Sequence, residues 1–280
     1  RWTYSEVGGL DTDSFAVPEL IHYDTFDSLD GQSRQIPAFY YKPEGDGPHP
    51  VLIRIHGGPE SQFRPYFSSS NQYYVGELGL AILAPNVRGS AGYGKGYLKL
   101  DNGYLREDTV RDIGRLLDWI EAQSELDSER VGVLGGSYGG YMVNAVMGLY
   151  PDAFKAGASF VGVSDWVRAL QEASPGLKAS DRIEYGDIRD PKWQAFYAEN
   201  SPINTVHRIQ APMFFEHGVN DPRDPVTESD RMVKVLRDKG LPVTYLRFPD
   251  EGHSVSKLEN RVTFYRALAE FLERHLTTQQ

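Results

Sequence analysis

The sequence predicts an α/β protein with a mostly parallel central sheet and helices on both faces. Two observations carry this, and a third sets the number of domains. Short apolar, β-branched runs alternate along the chain with stretches of helical periodicity, as in strand–helix–strand units that line up into a parallel sheet. Residues 131–141, VGVLGGSYGGY, compress a strand, a turn and the start of a helix into one stretch, with glycine at 135, 136, 139 and 140. No internal repeat, low-complexity tract or linker divides the 280 residues. The expected organisation is therefore a lead-in over 1–19 followed by one domain over 20–280.

The elements follow in order. Ile21 to Phe26 and Ile36 to Tyr41 read as two strands joined by a turn at Ser28-Leu29-Asp30-Gly31, a hairpin signal. Val51 to Ile55 is a strand that runs into His56-Gly57-Gly58-Pro59, and Leu80 to Ala84 is the next strand. Asp108 to Glu121 predicts an amphipathic helix, with Val110, Ile113, Leu116, Leu117 and Ile120 on one face. Val131 to Leu134 is a strand buried on both faces, and Tyr141 to Tyr150 a helix. Ala156 to Val163 reads as a strand, 164–210 as a mixed, largely helical insertion, and Met213 to Glu216 as a strand. Glu228 to Lys239 is a helix and Val243 to Phe248 a strand. A last helix spans Val262 to Leu276, with an expected core stripe of Val262, Tyr265, Leu268, Phe271 and Leu272.

Composition bounds the partners. Lys and Arg number 29 against 39 Asp and Glu, a net charge of −10, and the basic residues are scattered. That argues against a nucleic-acid backbone or an anionic membrane surface as partner. There is no cysteine, so neither disulfides nor thiol chemistry can operate. No apolar run approaches the length of a membrane span. The absence of a signal-peptide pattern fits the cytoplasm, but a chain that begins at Arg1 reads as a fragment, and location stays open.

The chemistry centres on Ser137. Gly135-x-Ser137-x-Gly139 is a nucleophile-elbow pattern, a strained strand-to-helix turn that holds a hydroxyl clear of the sheet. A serine nucleophile needs a base to take its proton and an acid to orient that base, and behind an elbow these follow as acid and then histidine. Of the seven histidines, four follow the serine. His253 lies in a Gly-containing turn directly after a strand, where a loop can aim it. His275 lies on the terminal helix, and His207 in the mixed segment with nothing to position it. The loop 217–226, HGVNDPRDPV, offers two acids. Asp221 lies nearer the strand end and is preferred; Asp224 is the alternative. His217, close to both, reads as a group that orients the loop. No metal-ligand spacing such as HExxH occurs, and no cofactor is expected.

Taken together, Gly135-Gly-Ser-Tyr-Gly-Gly-Tyr141, His56-Gly-Gly-Pro59, Asn86-x-Arg-Gly-Ser-x-Gly-Tyr-Gly94, His217-Gly-x-Asn-Asp-x-Arg223 and Glu251-Gly-His253 resemble the catalytic domain of the prolyl oligopeptidase family of serine peptidases. The likeness is to its acylaminoacyl-peptidase and dipeptidyl-peptidase-like branch, and it runs from about residue 20 onward. It implies an α/β-hydrolase fold and a triad of Ser137, Asp221 and His253, with a layout that favours Asp221. It also implies an oxyanion hole from the Tyr138 and Gly58 N–H groups. By the same likeness Arg223 would bind a substrate carbonyl, while Val163 and Trp166 would line an apolar side-chain pocket. Arg88 reads as a partner in structural ion pairs. The expected substrate is a short peptide, or a small acyl ester if the triad serves a carboxylesterase; a catalytically idle binding module is the third reading. The family's usual upstream β-propeller is expected in the full-length protein, since Trp2 to Leu10 resembles the tail of a propeller blade. A homo-oligomer is compatible with the sequence.

Overall fold

The computed structural model describes residues 7–278. Of the stretch likened to a propeller blade, residues 2–6 lie outside that range. The chain enters the sheet as an antiparallel hairpin of β1 (Glu19–Leu29) and β2 (Gln32–Tyr41). The turn is tighter than the sequence suggested. Only Asp30 and Gly31 lie outside the strands, with φ of 53° and 81°, the double left-handed conformation that matches strand twist.

The elements after the hairpin are β3 (His49–Ile55), α1 (Ser69–Gly76), β4 (Ala81–Pro85), the single turn α2 (Lys95–Leu98) and α3 (Arg106–Glu121). Then come β5 (Leu126–Gly136), α4 (Tyr138–Leu149) and β6 (Ala156–Phe160). An insertion carries α5 (Trp166–Glu172), α6 (Pro175–Tyr185) and α7 (Pro191–Glu199). The chain ends in β7 (Met213–Gly218), α8 (Thr227–Asp238), β8 (Val243–Phe248) and α9 (Leu258–Leu272). The sheet runs β1-β2-β4-β3-β5-β6-β7-β8. From β4 to β8 every neighbouring pair is parallel, and the hairpin adds the two antiparallel strands at one edge.

Successive residues of β5 face opposite ways, and both sides are dry. Val131 and Val133 join a core with α3, α4 and α8, while Leu134 joins the opposite core with α1 and α9. A strand covered on both faces reads as one apolar run, which is why Val131 to Leu134 was legible. The structure shows an α/β-hydrolase, a mostly parallel sheet with helices on both faces.

Several boundaries move, for identifiable reasons. The helix expected from Tyr141 begins at Tyr138, because Gly139 and Gly140 belong to its first turn rather than to a long loop. β6 stops at Phe160, where Val161 takes a φ of 43° and leaves the sheet. On α9 the stripe is corrected. Val262 and Tyr265 are exposed, and the core face is Phe264, Leu268, Phe271 and Leu272. Steps of three drift around a helix, whereas 264, 268, 271 and 272 keep the i, i+4, i+7, i+8 spacing of one face. Arg88 is buried and forms the expected structural pairs, with Asp112 at 2.8 Å and Asp27 at 3.0 Å. It ties the loop after β4 to α3 and the hairpin. Among the described residues, no helix is long and apolar enough to cross a membrane.

Candidate active site

The turn between β5 and α4 is as tight as its glycines allow. Ser137 has φ 57° and ψ −122°, a sparsely populated conformation for a residue with a side chain. Its N–H donates to the Phe160 carbonyl at 2.9 Å, and its carbonyl accepts from the Tyr141 N–H at 3.0 Å. The neighbouring glycines are steric necessities. A Cβ on Gly139 would sit 2.4 Å from the Ile55 carbonyl oxygen, and one on Gly140 2.6 Å from that of Phe160. Both neighbours are backbone and cannot swing aside. Gly139→Ala is therefore expected to displace the elbow. Overpacking of this kind costs about 1–3 kcal/mol of stability, and a 1 Å misplacement costs about a hundredfold in rate. Thermal melting and ester turnover, measured side by side, check both halves.

Three side chains distant in the chain converge at this turn. His253 Nε2 lies 2.9 Å from Ser137 Oγ, and His253 Nδ1 lies 2.7 Å from Asp221 Oδ2. The second oxygen, Asp221 Oδ1, accepts the N–H groups of Arg223 at 2.8 Å and Asp224 at 3.1 Å. The carboxylate is thus fixed by backbone on one side and faces the imidazole with the other. Its side chain is wholly buried. Burial pushes its carboxyl up, but hydrogen bonds from His217, His253 and the Arg223 N–H outweigh that and hold it well below the usual carboxylate range.

The loop that carries His253 has its own anchor, Glu251, which stands in sequence only as the first residue of Glu251-Gly252-His253. Glu251 Oε2 accepts from the Ser256 N–H at 3.1 Å and its hydroxyl at 2.7 Å. Oε1 accepts from the Lys257 N–H at 2.9 Å and the Asn260 amide at 2.8 Å. Burial opposes ionisation here, yet these bonds bring its carboxyl down to about 2. The Asn220 N–H donates to the Glu251 carbonyl at 2.9 Å. A Cβ on Gly218 would stand 2.2 Å from the Gly252 carbonyl oxygen, so the acid loop and the histidine loop abut directly. His217 braces the acid loop, with Nε2 2.9 Å from the Asp224 carbonyl and Nδ1 2.7 Å from Ser229 Oγ.

The loop after β3 passes close to the elbow. A Cβ on Gly57 would lie 3.1 Å from the Gly136 carbonyl oxygen and 3.4 Å from Ser137 Cβ. Gly58 has φ 134°, which only glycine adopts readily. Gly58 and Tyr138 both border the same pocket as Ser137. Tyr138 is the first residue of α4, where N–H groups have no partner within the helix. The ring nitrogens of His56 lie against the Gly57 carbonyl at 2.7 Å and Ser90 Oγ at 2.8 Å.

The pocket holds about 530 Å³ beside Ser137. Val163 and Trp166 line it from the segment after β6, and Arg223 and Asp224 from the acid loop. Trp166 is both wall and core. It is only 4% exposed, its ring meets Tyr141 edge-on at 4.6 Å, and Tyr185 lies at 4.9 Å. Behind that wall lies a charge cluster that the sequence did not reveal. Arg106 is fully buried, with Nη1 donating to Asp101 Oδ2 at 2.5 Å and to the Tyr138 hydroxyl at 3.0 Å, and Nη2 to Glu184. The Tyr185 ring covers the guanidinium at 4.6 Å. Burial pushes the Asp101 carboxyl up to about 7 despite Arg106, with Glu184 adding to the rise.

Of the other late histidines, His207 presents its carbonyl to Lys239 at 2.8 Å and His275 lies against Phe271 at 4.8 Å. Neither belongs to this site.

The arrangement can be compared with known proteins. The sequence pattern described as the prolyl oligopeptidase family matches residues 65–279. Dipeptidyl aminopeptidase BIII of Pseudoxanthomonas mexicana is 33% identical over 237 residues, which is 83% of this chain and 34% of the relative. The acylaminoacyl peptidase of Pyrococcus horikoshii superposes with a TM-score of 0.84 at 28% identity, over 99% of this chain and 45% of that one. An acylaminoacyl peptidase solved with Z-Gly-Gly-Phe-chloromethyl ketone gives a TM-score of 0.79 at 29% identity, over 94% of this chain and 43% of the other. The chain thus spans about a third of the length of the curated relatives it matches.

Proposed function

Because the chain belongs to the prolyl oligopeptidase family, we propose that it is the catalytic part of a serine peptidase that hydrolyses short peptides through an acyl-enzyme on Ser137. The observation that carries the reading is the unbroken chain from Ser137 Oγ to His253 Nε2 at 2.9 Å and from His253 Nδ1 to Asp221 Oδ2 at 2.7 Å. In this reading His253 takes the serine proton as Oγ attacks the scissile carbonyl. Asp221 keeps the Nδ1 proton in place and stabilises the imidazolium that forms. The negative oxygen is met by the N–H groups of Tyr138 and Gly58. His253 then hands its proton to the departing amine, and water repeats the attack on the ester with His253 again as base. Arg223, exposed at the pocket rim, is suited to hold a backbone carbonyl of the acyl side.

Val163 and Trp166 would shape the pocket for the residue before the scissile bond. Trp166→Leu is expected to lower the preference for phenylalanine over alanine there by at least about tenfold, as one lost contact surface in an apolar pocket does. Cleavage-site frequencies in a peptide-library digest give that ratio directly. The proposal also includes a β-propeller upstream in the full-length protein; its support is the greater length of the relatives.

The test combines a fluorophosphonate with two substrate sets. Labelling of the wild type, absent in Ser137→Ala, together with cleavage of N-acylated or free dipeptide anilides is the expected result. Turnover of nitrophenyl esters with every peptide left intact would make the protein a carboxylesterase. Absence of labelling would make it a binding module.

A further inference from the structure

Asp224, set aside in sequence as the alternative acid, ends up beside the same imidazole. Its Oδ2 lies 3.7 Å from His253 Nδ1, the atom that Asp221 Oδ2 approaches to 2.7 Å. The two acids are differently placed. The Asp221 side chain is wholly buried, while that of Asp224 is 17% exposed and borders the substrate pocket. Asp224 is also held in position, since its N–H donates to Asp221 Oδ1 and its carbonyl faces His217 Nε2. The separation is too long for a hydrogen bond but well within Coulombic reach in a partly dry site.

The geometry points to Asp224 as a positioning residue for His253: a second carboxylate that stabilises the imidazolium and can take over Nδ1 when Asp221 is neutralised. The inference rests on the triad reading above. The charged groups around Asp224 come from four segments: Asp221 and Arg223 on its own loop, His217 at the end of β7, Glu228 on α8 and His253 after β8. Glu216 on β7 also acts on His253. Burial, with Asp221 and Glu228 adding, lifts the Asp224 carboxyl to about 6, against the pull of His253 and His217. It is therefore ionised at neutral pH.

The sign follows. An imidazolium with one fewer negative neighbour gives up its proton more readily, so Asp224→Asn extends reactivity toward lower pH. The experiment is the rate of fluorophosphonate labelling of Ser137 as a function of pH, which needs no knowledge of the substrate. For Asp224→Asn the expected result is an acid limb moved down by roughly half to one pH unit and a plateau lower by about tenfold. Asp224→Glu, which keeps the charge, restores the wild-type limb. Replacing the single acid of a triad costs about ten-thousandfold. Asp221→Asn is expected to lose only about a hundred- to a thousandfold, and the double variant at least tenfold more.

An unmoved limb in Asp224→Asn overturns the inference. Should that variant not fold, an Asp221→Asn protein that labels as slowly as His253→Ala overturns it equally. Failure of the wild type to label at all would instead strike the triad reading itself.

Discussion

Ser137→Ala is expected to lower kcat by about a million-fold while leaving the melting temperature almost unchanged. The size follows from how triads behave: losing the nucleophile removes nearly all that the three groups achieve together, and about 10³–10⁴ over water survives from the oxyanion site and binding. The separation of activity from stability follows from the local structure. Ser137 Oγ contacts the His253 ring, and the turn is held by the backbone bonds of residue 137 to Phe160 and Tyr141, which alanine keeps. A change within about 0.5 kcal/mol is expected for such a substitution. Single-turnover kinetics on an activated ester and a melting curve decide it. Activity within about a hundredfold of wild type would mean that another group attacks.

Arg106→Met is the counterpart, a large loss of stability with chemistry affected only indirectly. Arg106 is enclosed by Asp101, Glu184, the Tyr138 hydroxyl and the Tyr185 ring. Removing the cation leaves two carboxylates facing each other in a buried site. Breaking a buried pair in this way costs about 3–5 kcal/mol, which in a domain of this size lowers the melting temperature by roughly 10 °C. The pH dependence gives a second handle. Asp101, raised to about 7, holds its proton longer in the folded than in the unfolded chain, so its contribution is favourable at low pH and fades as pH rises toward 7. Without Arg106 that effect grows, because nothing offsets the second negative charge. The deficit of Arg106→Met should be largest above pH 7 and shrink near pH 5. Melting curves of both proteins at the two values check it, and an equal deficit at both would show that the guanidinium acts through packing alone.

What could be read from the sequence depended on whether one physical rule governed the residue. The β5 strand and the glycines after it obey two such rules, burial on both faces and exclusion of Cβ, and both are visible in composition. The hairpin was legible through its turn, where Asp30 and Gly31 both take positive φ. Helix α1 was not. Its buried residues are Asn71, Tyr74 and Val75, a set with no apolar stripe, and it is held by contacts such as the Gln72 side chain to the Ala16 backbone. Arg106 was hidden too, since an arginine in the polar run 106–108 reads as solvated until its partners from loops and α6 arrive. The two acids of the 217–226 loop differ in sequence only by their distance from a strand end. The structure brings both to the same ring nitrogen, at 2.7 and 3.7 Å.

Much of the pocket wall comes from a single insertion. Ser137, Asp221 and His253 stand on loops at strand ends, whereas Trp166, Leu170, Leu177 and Glu184 come from the insertion between β6 and β7. If Ser137, Asp221 and His253 act as proposed above, exchanging residues 164–210 would recast much of the pocket while leaving those three groups and Val163 in place. One constraint travels with such an exchange: a replacement for α6 that lacks Glu184 leaves Arg106 with Asp101 and the Tyr138 hydroxyl, one of its two carboxylate partners lost.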